Sequence, residues 1–85
     1  MRSMRGIELP ELYILLKEVR LQQGISVELM AVKLGVPPVT YWRIETGASA
    51  PMKTTAWPMV RRMLRWKLNP QQTETLQRLR ERLIQ

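Results

Sequence analysis

The sequence predicts an all-α single domain of five helices built around a helix-turn-helix, and three observations carry that expectation. Apolar residues recur at helical steps in successive stretches of the chain. Gly or Pro punctuates most of the boundaries between those stretches. Two of the patterned stretches are separated only by Gly35-Val36-Pro37, which leaves room for nothing but a tight turn. Two helices joined so closely form a helix-turn-helix, whose second helix commonly enters the DNA major groove.

Residues 1–8 carry Arg2 and Arg5 and no periodic pattern, and are expected to be a flexible N-terminal arm. A frayed terminus is the first reading of such a segment and an arm that reaches DNA the second. Residues 9–68 form the expected helix-turn-helix domain and residues 69–85 a C-terminal helix. Pro10 opens the first helix, which runs to about Gln23 and stops at Gly24. Leu12, Leu15, Leu16 and Val19 make its inner face, flanked by Tyr13 and Ile14. Arg20 falls one step beyond Val19, near that inner face, where a charge must be paired.

In the second helix Val27, Met30, Ala31 and Leu34 share one face. Ser26 can cap its start and Gly35 can close it in a left-handed conformation. Pro38 opens the third helix, where its missing N–H costs nothing, and Gly47 closes it. A loop punctuated by Gly47, Ser49 and Pro51 follows. The fourth helix is expected over Thr55 to Lys67, with Pro58 in its first turn. Trp57, Val60, Met63, Leu64 and Trp66 read as its core contacts. Asn69-Pro70 is a cap followed by a first-turn proline, and opens a fifth helix running to about Ile84. Its leucines Leu76, Leu79 and Leu83 have the a/d spacing of a paired helix. That stripe either folds back on its own core or joins two chains about a two-fold axis, and the dimer interface is the expectation.

The run from Leu16 through Pro51 resembles the Cro/C1-type helix-turn-helix of the XRE family, found in phage repressors and related bacterial regulators. The matching residues are Leu16, Arg20, Gly24, Ile25, Ser26, Met30, Ala31, Leu34, Gly35, Val36, Tyr41, Ile44, Glu45, Gly47 and Pro51. Two positions depart from the pattern. Many family members carry a polar residue, often Gln, where this chain has Val27, and a polar cap where it has Pro37. The resemblance implies a lambda repressor-like fold and sequence-specific DNA binding. It implies a phage, mobile-element or bacterial repressor, with antitoxins and anti-CRISPR-associated regulators as close variants. It also supplies Glu45 as the partner of Arg20 in a structural ion pair.

The facing of the third helix follows from a turn of about 100° per residue. With Tyr41 at zero, Ile44 and Glu45 fall within about 60° of it, on the core side. Val39 and Arg43 fall near 160° and about 200°, directly opposite. Arg can bond guanine O6 and N7 together, and an exposed Val can pack on thymine methyl groups. Val39 and Arg43, with Pro38, Thr40 and Trp42 around them, are therefore the candidate base-reading set. Trp42 has three uses open to it: stacking on the sugar-phosphate backbone, packing on the fourth helix, or meeting a partner. Thr46, Lys53, Thr54 and Thr55 are the candidate phosphate contacts, since their donors and the amides of the next helix start suit phosphate oxygens.

Eighty-five residues allow one modest core, burying about 60–65% of the unfolded chain's surface. There is no Cys, His or Asp, which removes the commonest nucleophile, general base and metal ligand. Neither an active site nor a cofactor, metal or small-molecule ligand is expected. The net charge is +7, and from Arg43 to Lys67 six basic residues stand against Glu45 alone, a local +5. Such a concentration beside a helix-turn-helix implies a polyanionic partner, here double-stranded DNA bound by a homodimer. Leu12 to Leu16 is the most apolar run and is too short for a membrane span, so a cytoplasmic protein is expected. A protein-interaction module with a basic face, and an RNA-binding protein, are the alternatives.

Overall fold

The computed structural model describes residues 6–84 as five helices: α1 (Pro10–Gln23), α2 (Val27–Leu34), α3 (Pro38–Glu45), α4 (Lys53–Met63) and α5 (Pro70–Ile84). No strand forms among the described residues. α1 packs on α3 and α5, α2 on α3 and α4, and α4 on α5. Every helix therefore meets at least two others except α3, which α1 and α2 hold from behind.

One continuous core joins the inward stripes. α1 contributes Leu12, Leu15, Leu16 and Val19, while Tyr13 is half-buried. Ile14 turns outward and is 70% exposed, further from the core than a flanking position implies. Met30, Ala31 and Leu34 enter from α2, Tyr41 and Ile44 from α3, and Met59, Val60 and Met63 from α4. Val27 is half-buried at the edge.

α4 starts two residues before its expected start and stops four residues early. The amides of Thr55 and Ala56 both bond the Met52 carbonyl, so Lys53 and Thr54 already lie in its first turn. Pro58 consequently sits in the second turn, where it leaves the Thr54 carbonyl without its helical donor. At the other end the bonds tighten to i→i−3, with Arg65 N to Arg62 O at 3.1 Å and Trp66 N to Met63 O at 3.0 Å. That tightening lets Leu64, Trp66 and Leu68 pack against the core as partly buried residues.

The N-terminal segment also departs from expectation. The first five residues of the expected arm, with Arg2 and Arg5, lie outside the described residues. Residues 6–9, by contrast, are tied down. Ile7 N donates to Pro51 O at 2.7 Å, and Leu9 is fully buried. At Gly6 a Cβ would stand 1.9 Å from the Ala50 carbonyl oxygen, so only glycine permits that approach.

The expected dimer stripe is corrected by α5. Leu76 and Leu79 are fully buried and Leu83 nearly so, all within the chain's own core. α1 and α4 both present apolar surface that α5 covers, and a helix of two heptads gains more from that core than from pairing alone. Polar bonds lock it there. Asn69 Oδ1 accepts from Gln72 N at 2.8 Å and Gln72 Oε1 accepts from Asn69 N at 3.3 Å, a reciprocal capping box. Gln72 is buried, and its Nε2 donates to Glu18 Oε1 and Gln22 Oε1 of α1, each at 2.9 Å. Further along, Arg78 reaches Glu11 and Arg82 reaches the Glu8 carbonyl, so the two helices run antiparallel.

Because the leucines are core residues, Leu79→Ala should lower the unfolding free energy by about 2–5 kcal/mol. Denaturant melts at two protein concentrations check this. The loss should be the same at both; a loss that grows on dilution would return the stripe to an interface.

Candidate nucleic-acid interface

The reading element is seated by its turns. Ser26 Oγ accepts from Leu29 N at 3.1 Å and caps α2. Gly35 ends α2 at φ 74°, where its amide bonds Val32 O and that of Val36 bonds Ala31 O. A side chain there would be strained and would also meet the Arg62 guanidinium, 3.1 Å from the Cβ position. α3 then begins with Pro38 at its first position, and Tyr41 N closes the first turn on Pro37 O at 2.9 Å.

A buried polar cluster fixes α3 from behind. Arg20 Nε donates to Glu45 Oε1 at 2.8 Å and its Nη2 to Oε2 at 3.1 Å, a two-pronged pair. Arg20 Nη1 donates to the Ile25 carbonyl, which ties in the α1–α2 turn. Tyr41 donates its hydroxyl proton to Glu45 Oε1 at 2.5 Å. Glu45 stands at the C-terminal end of α3, where the helix dipole disfavours an anion. Burial pushes its carboxyl up, yet the bonds from Arg20 and Tyr41 outweigh burial and hold it below the usual carboxylate range. The bond to Glu45 raises the Arg20 guanidinium. Burial, then the same carboxylate, pushes the Tyr41 phenol well above its ordinary value.

On the opposite side, Val39 is 64% exposed, Trp42 is 52% exposed, and Arg43 and Pro38 are exposed. Thr40 is half-buried. Two grooves flank this ridge. Towards α4, Thr40, Arg43, Ser49, Pro51, Met52 and Thr55 line a polar one. Towards α2, Val27, Glu28, Pro38, Val39 and Trp42 line an apolar one of about 430 Å³. Trp42 thus turns towards α2, away from the α4 packing that was one of its three possible uses.

Lys53 and Thr54 are exposed and Thr55 half-buried, all in the first turn of α4, on the Arg43 side. Thr46 does not join them. Its hydroxyl donates to Trp42 O at 2.9 Å and approaches Arg43 O at 3.3 Å, so its one proton stays within its own helix end. It lines a different groove, with Tyr13, Lys17 and Leu21 of α1. The expected phosphate contact at Thr46 is corrected on that ground. Arg61, Arg62, Arg65 and Lys67 are exposed beyond the midpoint of α4. Glu45 is buried and matched by Arg20, so it subtracts nothing from that exposed positive surface.

A short helix presented outward by a tight turn, with basic side chains around it, defines a helix-turn-helix DNA-binding protein. Residues 11–66, about two thirds of the chain, match the family described as "Helix-turn-helix domain", and the chain belongs to that family. No curated protein and no solved structure matches the chain significantly. No helix among the described residues is long and apolar enough to cross a membrane.

Two members of the supporting structure escape a reading based on facing alone. Tyr41 was placed in the core as an apolar body, while its hydroxyl is the third arm of the ion pair. The signal was its i, i+4 relation to Glu45. Gln72 was unassigned, although Asn69-x-x-Gln72 has the capping-box spacing.

Removing Arg20 strands a buried carboxylate, so Arg20→Ala should cost on the order of 3–5 kcal/mol. Arg78→Ala, at a half-exposed pair, should cost under about 1 kcal/mol. Equal unfolding midpoints would rule out a structural role for the pair. The pH dependence follows from the same carboxylate. Its folded pKa is lowered, so its contribution is complete above the unfolded value of about 4.3 and is lost as pH falls through the folded one. Melting curves from pH 6 downward should therefore fall more steeply below about pH 4.3 in the parent chain than in Glu45→Gln.

Proposed function

We propose that this chain is a sequence-specific transcriptional regulator of the Cro/C1 type that binds double-stranded DNA as a homodimer. It acts as a repressor, by occupying an inverted-repeat operator and blocking polymerase, in the cytoplasm of a bacterium or on behalf of a phage or mobile element. The observation that carries this is the outward pair Val39 and Arg43, on a helix seated from behind by a buried ion pair. A helix with side chains is about 10–12 Å across, close to the width of the major groove. Arg43 then reaches guanine O6 and N7, while Lys53, Thr54 and Thr55 meet the flanking phosphates.

A single eight-residue helix touches few base pairs, and a two-fold pair of copies doubles the site read. With the α5 leucines in the core, exposed apolar surface on α1 supports a different interface. Ile14 is 70% and Leu21 59% exposed, seven residues apart on one face. The double variant Ile14→Glu, Leu21→Glu should sediment as a monomer at concentrations where the parent chain is dimeric. A variant that associates as tightly as the parent would move the interface elsewhere.

Readout is tested by titrating variants against a duplex selected from a random pool and against a scrambled duplex, at several salt concentrations. Arg43→Ala should cost about 1–3 kcal/mol per half-site on the selected duplex and relax preference at one base pair. Lys53→Ala should weaken both duplexes alike and flatten the slope of log affinity against log salt by about one. If Arg43→Ala weakens both duplexes equally, Arg43 is only a phosphate contact and the specific-regulator reading fails. Weak binding of every duplex without preference would favour a protein-interaction module instead.

A further inference from the structure

The apolar groove beside α3 is not used by the reading above. Val27 and Glu28 of the first turn of α2 form one wall, and Pro38, Val39 and Trp42 of α3 the other. Val39 and Trp42 are each more than half exposed, a cost in water that the core does not require. Val27 stands where many Cro/C1-type proteins carry a polar side chain. Four of the five lining residues offer no side-chain hydrogen bond of use to a phosphate or a base acceptor; Trp42 has only its indole N–H. Glu28, the fifth, is an acceptor and repels phosphate.

Resting on the reading that α3 enters the major groove, we infer that this groove reads the C5 methyl group of a pyrimidine base. The edges of DNA bases in the major groove are donors and acceptors, with one apolar feature, the group at pyrimidine C5. A wall of Val27, Pro38, Val39 and Trp42 matches that feature and no other on a base edge. The carboxylate of Glu28 at the rim matches an exocyclic amino group, the N4 amine of cytosine or the N6 amine of adenine. Two bases supply this combination. A 5-methylcytosine carries its methyl and N4 amine side by side, and a thymine carries its methyl beside the N6 amine of its paired adenine. The chemistry shared by both is a methyl group next to an amino donor.

Two substitutions in the DNA separate the sources without altering base pairing. In the duplex selected by the parent chain, each thymine is replaced in turn by deoxyuridine, which lacks the methyl. A second selection uses a pool in which every cytosine is 5-methylated. Loss of one thymine methyl, or of one cytosine methyl in the second duplex, should weaken parent binding about fourfold per half-site, the equivalent of burying one methyl-sized group. Trp42→Ala and Val39→Ala should bring the ratio of methylated to unmethylated affinity close to one. That ratio is taken within each variant, so a general loss of affinity leaves it unmoved, and circular dichroism of these exposed-site variants checks the fold. Fourfold effects at thymine identify the first source, and at methylcytosine the second. If neither methyl changes affinity, or if both variants keep the parent's ratio, the inference is overturned while sequence preference, and with it the regulator reading, survives. Absence of any sequence preference overturns both.

Discussion

The ion pair between Arg20 and Glu45 is the constraint on which the reading surface depends. α3 is only eight residues long and would not hold a helical shape in isolation. Its inward face has just Tyr41 and Ile44 as fully apolar anchors. The third inward position is a carboxylate at the unfavourable end of the helix dipole. Left alone, that charge would be driven towards water and would rotate the helix. Two guanidinium bonds and one phenol bond hold it inside instead, and they do so at a defined angle. Because the guanidinium also binds the Ile25 carbonyl, α1, the α1–α2 turn and α3 form one unit. The direction in which Val39 and Arg43 point is thereby set by contacts on the far side of the helix.

The same logic explains why α5 belongs to the core. A chain this short buries a limited fraction of its surface. The α1 and α4 faces would be left wet if α5 were withheld for a partner. Gln72, a buried amide bonded to two α1 side chains, makes departure of α5 costly, since its polar groups would lose specific partners. The α1–α5 pair in turn supports Leu16 and Val19, against which the recognition unit rests.

Much of this was legible in the residues. The turn between α2 and α3 is marked by Gly35 and Pro38, whose backbone requirements leave little choice. The facing of α3 follows from simple rotation because the helix is short and straight, so Val39 and Arg43 come out opposite Tyr41. The end of α4 was not legible, since its tightening depends on where Trp66 and Leu68 find core surface, a tertiary fact. The α5 stripe was ambiguous in principle. Three- and four-residue spacing identifies an apolar face and says nothing about which chain lies across it. Thr46 was misread for a local reason: a hydroxyl within reach of a carbonyl four residues back is satisfied before any ligand arrives.

The two sides of the α3 ridge differ because the two neighbours differ. α4 approaches through a loop rich in small and hydroxyl residues, so Thr40 and Arg43 look across at Ser49 and Thr55. α2 approaches through a turn so tight that its own first residues, Val27 and Glu28, stand beside Pro38 and Val39. A proline at the start of α3 therefore has two effects. It preorganises the first turn, and it replaces a capping side chain that would have made this wall polar. With Val27 in place of a polar residue on the facing helix, both departures from the common pattern fall on one groove. They act together: either alone would leave a polar group opposite an apolar one, whereas the pair yields a continuous apolar surface next to a basic one. A reading head with that division distinguishes base edges by two kinds of chemistry at once, hydrogen bonding on the α4 side and methyl contact on the α2 side.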